Sequence, residues 1–253
     1  MNFSNKVVLV TGAGSGIGRA TAVLFAEKGA KVAISALAPD DRQSGEVTLE
    51  LVRKAGSEGI FIIGDVSRAA DAERMVKETV NAFGRLDILV NNAGIVLPGR
   101  VDDMSEEDFD RTMAVNVKGT FLVSKYAVLQ MKRQGGGVIV NNASNAALKG
   151  HADRSAYCAS KGAVVSLTRA MAADYINYNI RVNCVCPGTT ETPAVLEKIR
   201  KAADPEAMRA RFIEPIGRLG RPEEIAHAIL FACCDEAAFM AGNILVIDGG
   251  ATI

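Results

Sequence analysis

The feature that most constrains this chain is a regular alternation. Short apolar runs, mostly β-branched, occur at Val7–Thr11, Lys31–Ser35, Gly59–Gly64, Ile88–Asn91, Val138–Asn142, Arg181–Val185 and Ile244–Ile247. Most are continuous rather than every-second-residue patterns, which suits strands covered on both faces in a parallel sheet. Between them lie stretches of helix length near Ile17–Lys28, Gly45–Lys54, Ala69–Phe83, Ser105–Gln134, Ala156–Tyr178 and Pro222–Cys234. Strand and helix repeated this way predict an α/β, doubly wound fold, a parallel sheet of about seven strands with helices on both faces. No Pro/Ser/Gly-rich linker interrupts the pattern, so residues 1–253 are expected to form a single domain. The longest irregular stretch begins at Pro187 and runs towards Arg221. Its part at about 189–216, following a strand, reads as a substrate lid.

Charge and cysteine content remove several function classes. Lys+Arg and Asp+Glu are 29 each, a formal net charge of +0. Broad binding to nucleic acid or an anionic membrane needs surplus positive charge and is not expected. No apolar run approaches the roughly 20 residues of a membrane span. Met1–Val10 leaves no room for a signal peptide, so the chain reads as cytoplasmic. Five cysteines, Cys158, Cys184, Cys186, Cys233 and Cys234, are an odd count that argues against a disulfide framework. Cys184-Val185-Cys186 lacks metal-ligand spacing, and His151 and His227 are far apart, so no metal is expected. These cysteines read as small buried residues.

The first strand runs into Thr11-Gly12-Ala13-Gly14-Ser15-Gly16-Ile17-Gly18, and a helix pattern follows at once. Glycine permits positive φ and close approach of backbone to a ligand. The unpaired N–H groups and partial positive charge of a helix N-terminus suit a pyrophosphate. Arg19 stands where a nucleoside-triphosphate loop would continue with lysine, so that class is disfavoured.

The spacing Thr-Gly-x-x-x-Gly-x-Gly resembles that of the short-chain dehydrogenases/reductases, and further motifs extend the resemblance over nearly the whole chain. Asp65-Val66 follows the third strand and Asn91-Asn92-Ala93-Gly94 the fourth. Asn116 lies in a long helix, and Ser144 follows the fifth strand. Tyr157-Cys158-Ala159-Ser160-Lys161 comes 13 residues after Ser144, and Pro187-Gly188 follows the sixth strand. Tyr157 and Lys161, four apart on a helix, share one face. In such a pair, an ammonium about 4 Å from a phenol favours the phenolate by roughly 4 kcal/mol at an effective dielectric of 20, before desolvation. The resemblance implies an enzyme that transfers a hydride between NAD(P) and a secondary alcohol or ketone. It makes Tyr157 the proton carrier, Lys161 its electrostatic partner and ribose ligand, Ser144 the group orienting the substrate oxygen, and Asn116 the support of a water relay. It also places Gly12, Ser15, Ile17 and Gly18 around the phosphates, and Asp65 and Val66 beside adenine. Asn91, Ala93 and Gly94 would line the nucleotide groove, with Pro187, Gly188, Thr190 and Thr192 on the carboxamide and phosphate side. In the resembled family the long middle helices form a homotetramer interface. Here Met113, Val117, Phe121, Val123, Ala127 and Met131 give those helices more than one apolar face.

The choice of nicotinamide cofactor rests on the end of the second strand, where NAD enzymes carry a carboxylate for the ribose 2′-OH. Ala36 and then Leu37 stand there. Arg42 or Ser35 would suit a 2′-phosphate, and Asp40 or Asp41 a 2′-OH; the balance favours NADP or dual use. The segment Lys149–Arg154 should border the catalytic oxygen, and the insertion Ala194–Glu214 adds Lys198, Arg200, Lys201, Arg209 and Arg211. This combination resembles a subgroup acting on hydroxy acids and acidic sugars, with Arg154 or Lys198 as the substrate ligand; one basic position of that pattern is Pro215 here. The competing reading is a non-catalytic NAD(P)-binding regulatory module on the same fold. The complete set Asn116, Ser144, Tyr157 and Lys161 speaks for the enzyme. The absence of a basic stripe speaks against nucleic acid.

Overall fold

The computed structural model describes residues 1–37 and 42–253, and the side chain of Arg42 lies outside the described set. Among the described residues seven strands are present: β1 (Val7–Thr11), β2 (Lys31–Ala36), β3 (Gly59–Ile63), β4 (Ile88–Asn91), β5 (Gly137–Asn142), β6 (Ile180–Pro187) and β7 (Ile244–Ile247). The helices are α1 (Gly16–Glu27), α2 (Arg42–Lys54), α3 (Ala69–Phe83), α4 (Glu106–Met113), α5 (Thr120–Gln134), α6 (Ser155–Tyr175), α7 (Pro193–Arg200), α8 (Pro205–Ala210) and α9 (Pro222–Cys233). The strands form one sheet in the order β3-β2-β1-β4-β5-β6-β7, every neighbouring pair parallel. The chain winds outward from β1 to β3, then returns to add β4 on the other side of β1. That reversal leaves a crevice beyond the carboxyl ends of β1 and β4.

The continuous apolar runs are explained by two cores, one on each face. Val8 and Val10 point to the side of α1 and α9, packing with Ala22, Phe25, Ile225, Ile229 and Leu230. Leu9, between them, points to the side of α3 and α5, with Met75, Val76, Val123, Ala127 and Met131. The expected doubly wound α/β architecture is what forms, and most element bounds agree within a few residues.

Two expectations need correction. Ser105–Gln134 is not one α-helix: α4 passes into a π-helical segment at Ala114–Gly119 before α5 begins. The causes are tertiary. The side chain of Asn116 is drawn onto the backbone of Ile95, and a Cβ at Gly119 would lie 2.6 Å from Val66 Cγ2. The stretch after Pro187 is not irregular throughout, since it contains α7 and α8. Thr192 accepts a hydrogen bond from Val195 N and Asp204 one from Ala207 N, each with proline at the next position. These are N-cap and N1 signals in the sequence; the helices are short enough for their periodicity to be lost.

Candidate active site

The turn after β1 is built for close backbone approach. Gly12 has φ +62, and a Cβ there would lie 2.7 Å from Ala93 Cα. A Cβ at Gly18 would run into the Gly12 carbonyl. Neither position accepts a side chain, so the first turn of α1 seats directly on the strand ends, with Ile17 and Gly18 in it. Ser15 is the exposed N-cap residue and its side chain makes no capping bond. Arg19 braces the turn from outside, donating to the Gly14 carbonyl, to Thr48 Oγ1 (3.0 Å) and to the Ser44 carbonyl (3.3 Å).

The neighbouring strand ends are tied to this turn. Thr11 Oγ1 accepts from the backbone N–H groups of Asn92 and Ala93 at 3.0 and 3.1 Å. The Asn91 amide turns into the core, donating to Ser124 Oγ and Asn141 Oδ1, both 2.8 Å, so only its backbone faces the groove. Asp65 Oδ1 accepts from the N–H and hydroxyl of Ser67 at 2.8 and 2.7 Å, and Val66 is packed into the core. Ala36 is buried at the end of β2 while Leu37 is exposed. Asp40 and Asp41, weighed above as ribose ligands, lie outside the described residues, as does the side chain of Arg42.

Tyr157 and Lys161 share a face of α6, with Lys161 Nζ 5.7 Å from the Tyr157 ring centroid. Lys161 is buried and donates to the Asn142 carbonyl at 2.9 Å. Asn116 is buried in the π segment. Its Oδ1 accepts from Ile95 N at 2.8 Å, and its Nδ2 donates to Ile95 O and Ser160 Oγ, both 3.0 Å. Ser160 in turn donates to the Tyr157 carbonyl at 2.8 Å. A Cβ on Gly94 would lie 3.1 Å from Asn116 Oδ1 and 3.4 Å from Lys161 Nζ, so these two side chains flank a glycine that leaves space between them. Ser144 leaves β5 with its Oγ accepting from Ala146 N at 3.1 Å.

On the far side, a Cβ at Gly188, next to Pro187, would lie 2.8 Å from Asp248 Cα. The Thr190 hydroxyl donates to the Gly188 carbonyl at 3.1 Å, and Thr192 caps α7 while packing over Gly16. Arg154, just before α6, and Lys198, on α7, share an electrostatic neighbourhood with Arg211. The Lys198 ammonium is held below the usual lysine range, first by burial and then by the charges of Arg154 and Arg211, with Asp153 opposing. His151 is likewise held below the usual histidine range by burial, then by Lys149 and Arg154. None of Arg154, Lys198 and Arg211 forms a salt bridge among the described residues. Among those residues, no group of three or more His, Cys, Asp or Glu is placed to hold a metal.

A family model described as "Enoyl-(Acyl carrier protein) reductase" matches residues 12–252. The chain belongs to the short-chain dehydrogenase/reductase family. An uncharacterised oxidoreductase of Thermotoga maritima is 57% identical over 100% of this chain and 99% of that protein. 2-(S)-hydroxypropyl-CoM dehydrogenase 3 of Xanthobacter autotrophicus is 43% identical over 99% of this chain and 98% of its own length. The crystal structure of levodione reductase superposes with a TM-score of 0.95 at 34% identity, covering 99% of each chain. Members of the family are oxidoreductases that bind NAD(P), and the cradle here fits such a group: Gly12 and Gly18 let the first turn of α1 seat directly on the strand ends, and Gly94 carries no side chain beside Asn116 and Lys161. Three residues of this short-chain dehydrogenase/reductase escaped the sequence analysis as site residues. Ser160 was visible only as part of the Tyr157–Lys161 motif, Arg211 only as one of several basic residues, and Asn142 only as a strand end.

Proposed function

We propose that this short-chain dehydrogenase/reductase transfers a hydride between NAD(P) and a secondary alcohol or ketone bearing a polar or acidic group. The observation that carries the reading is that Asn116 Oδ1 and Lys161 Nζ flank Gly94, with the Tyr157 ring centroid 5.7 Å from that ammonium and Asn116 tied through Ser160 to the Tyr157 carbonyl. Bound NAD(P) supplies the hydride acceptor or donor. The Ser144 hydroxyl donates to the substrate oxygen and orients it. In the oxidising direction Tyr157 Oη takes the alcohol proton from that oxygen; in the reducing direction it returns one. The Lys161 ammonium, 5.7 Å from the Tyr157 ring centroid, reaches the nicotinamide ribose. Asn116, fixed by Ile95 and Ser160, keeps the far wall of this space polar and supports a water relay to Lys161. Gly12, Ser15, Ile17 and Gly18 cradle the phosphates; Ala36, Asp65, Val66, Asn91, Ala93 and Gly94 line the adenosine side; Pro187, Gly188, Thr190 and Thr192 close over the nicotinamide side. NADP is favoured over NAD because β2 ends in Ala36, without a carboxylate for a 2′-OH.

The substrate reading draws on Arg154, Lys198 and Arg211: the charges of Arg154 and Arg211 act on Lys198 against that of Asp153, and none of the three forms a salt bridge among the described residues. An anionic group would relieve their mutual repulsion, and a guanidinium pairs with such a group bidentately. A relative named for a hydroxypropyl compound is consistent with an alcohol substrate. Hydroxy acids, neutral sugars and simple ketones assayed with both cofactors test the substrate class. On the best anionic substrate, Arg154→Met should lose about 1.5–3 kcal/mol in kcat/KM, the size of a lost charge-assisted hydrogen bond. A best substrate without charge, turned over normally by the variant, would remove the clamp.

We further propose one catalytic domain with the α7–α8 segment (189–216) as its lid, assembled as a homotetramer. Val123, Ala127 and Met131 face the subunit's own core. Met113, Val117 and Phe121 instead line a shallow outer hollow of about 600 Å³ with Leu167. A second apolar face of this kind is suited to another copy of the chain. Five free thiols fit the reducing cytoplasm.

A further inference from the structure

Among the described residues, the proposed catalytic lysine has one hydrogen-bond acceptor, and it belongs to a residue with no part in the roles above. Lys161 Nζ donates to the backbone carbonyl of Asn142, the last residue of β5. The main-chain ladder between β4 and β5 ends one residue earlier, at Asn91↔Asn141. Beyond it the two strands are joined by side chains: Asn142 Nδ2 donates to Asn92 Oδ1 at 2.9 Å. The orientation of both amides is fixed by what they meet. Asn92 Nδ2 donates to the Thr11 and Gly12 carbonyls, each at 3.0 Å, and carbonyls can only accept. Asn92 Oδ1 is therefore the atom left over, and only an N–H from Asn142 can satisfy it.

We infer that Asn142 is a positioning residue that couples the phosphate-binding turn to the catalytic lysine. The chain of bonds runs from the Gly12 carbonyl through Asn92 to the Asn142 amide. From there it passes through the Asn142 peptide to Lys161 Nζ. A strand end held only by β6, through Ala143 N to Val185 O at 2.8 Å, would be free on its β4 side. The Asn142–Asn92 bond removes that freedom and fixes where the carbonyl holds the ammonium. Among the described residues, the one hydrogen bond of the Asn142 side chain is that to Asn92, and it leads to the turn.

The inference rests on Lys161 acting as proposed above, and the test separates the two. The full chain is prepared as wild type, Asn142→Val, Asn142→Ala and Lys161→Met, with folding followed by thermal melting. NADPH and NADH affinities are read by fluorescence titration, and kcat and KM are measured on the best substrate found. Asn142→Val and the smaller Asn142→Ala should both bind the reduced cofactor about fivefold to tenfold more weakly. In both, kcat should fall about fivefold or more while KM for the substrate stays near wild type, because the ammonium is no longer held in place beside Tyr157. Loss of melting temperature alone, with cofactor affinity and kcat unchanged, would mean that Asn142 is structural and would overturn the inference. Lys161→Met should abolish most turnover; if it does not, the catalytic reading fails and the coupling falls with it.

Discussion

Ala36 is a methyl group at the position that decides between two cofactors. It is buried, and a Cβ added at Gly14 would lie 3.5 Å from its Cβ and 3.5 Å from that of Ser44, so little room is left between the turn, the end of β2 and the start of α2. Ala36→Asp should bring a carboxylate to the ribose edge, accepting from a 2′-OH and repelling a 2′-phosphate. The ratio of kcat/KM values for NAD and NADP should then move towards NAD by about tenfold or more, about 1.4 kcal/mol. An unchanged ratio would show that another residue reads the ribose. His151 gives a second residue-scale expectation. Its folded value lies below the ordinary one through burial and its cationic neighbours. The unfolded chain therefore takes up a proton as pH falls through the usual histidine range, while the folded chain does not. Stability is lost on that descent and restored above it. Melting temperatures from pH 8 to pH 5 should fall more for wild type than for His151→Asn. At this scale the sequence showed the motif residues because their chemistry forces their types: a phenol with an ammonium one turn away, and glycines where a Cβ collides. It could not show that the Asn91 amide faces the core, or that Asn142 holds the carbonyl under Lys161, because both depend on which strands become neighbours.

The elements were legible where one periodicity ran long enough to dominate. The seven strands and the helices α1, α3, α6 and α9 follow from continuous apolar runs and from apolar stripes. The break at Ala114–Gly119 was not legible, because what changes the winding comes from distant segments: the bonds between Asn116 and Ile95 and the close approach of Gly119 to Val66. α7 and α8 were signalled by Thr192-Pro193 and Asp204-Pro205 but are too short for a periodicity. One element is held by a single side chain from a strand. The Arg181 guanidinium donates to the carbonyls of Ala232, Cys233 and Cys234 at the end of α9, at 3.0, 3.3 and 3.2 Å, and to that of Met240 at 3.1 Å. Those last-turn carbonyls have no intrahelical donors and carry the negative end of the helix dipole. Arg181→Met should destabilise the fold by about 2–3 kcal/mol. For a chain of this length that is a fall in Tm of about 4–12 °C, read by calorimetry. A change of under a degree would show that water serves those carbonyls equally well.

At the scale of the whole molecule, the sheet order places every proposed catalytic group at one edge. β1, β4 and β5 are neighbours, so their carboxyl ends bring Gly12, Gly94 and Ser144 together, and α6 packs alongside with Tyr157 and Lys161. Assembly adds a further expectation. Phe121, on α5, is 50% exposed and lines one outer hollow with Met113 and Val117, so in the proposed homotetramer Phe121→Glu should break the assembly into smaller species in light scattering. A monomeric wild type at micromolar concentration would remove the tetramer altogether. The role of Tyr157 as proton carrier in hydride exchange with NAD(P) is tested by single-turnover kinetics of Tyr157→Phe on the best alcohol or ketone. Removing a general acid–base should slow hydride transfer by about 10²–10⁴-fold while cofactor affinity stays near wild type; a variant that keeps more than about half of the wild-type rate would contradict the account.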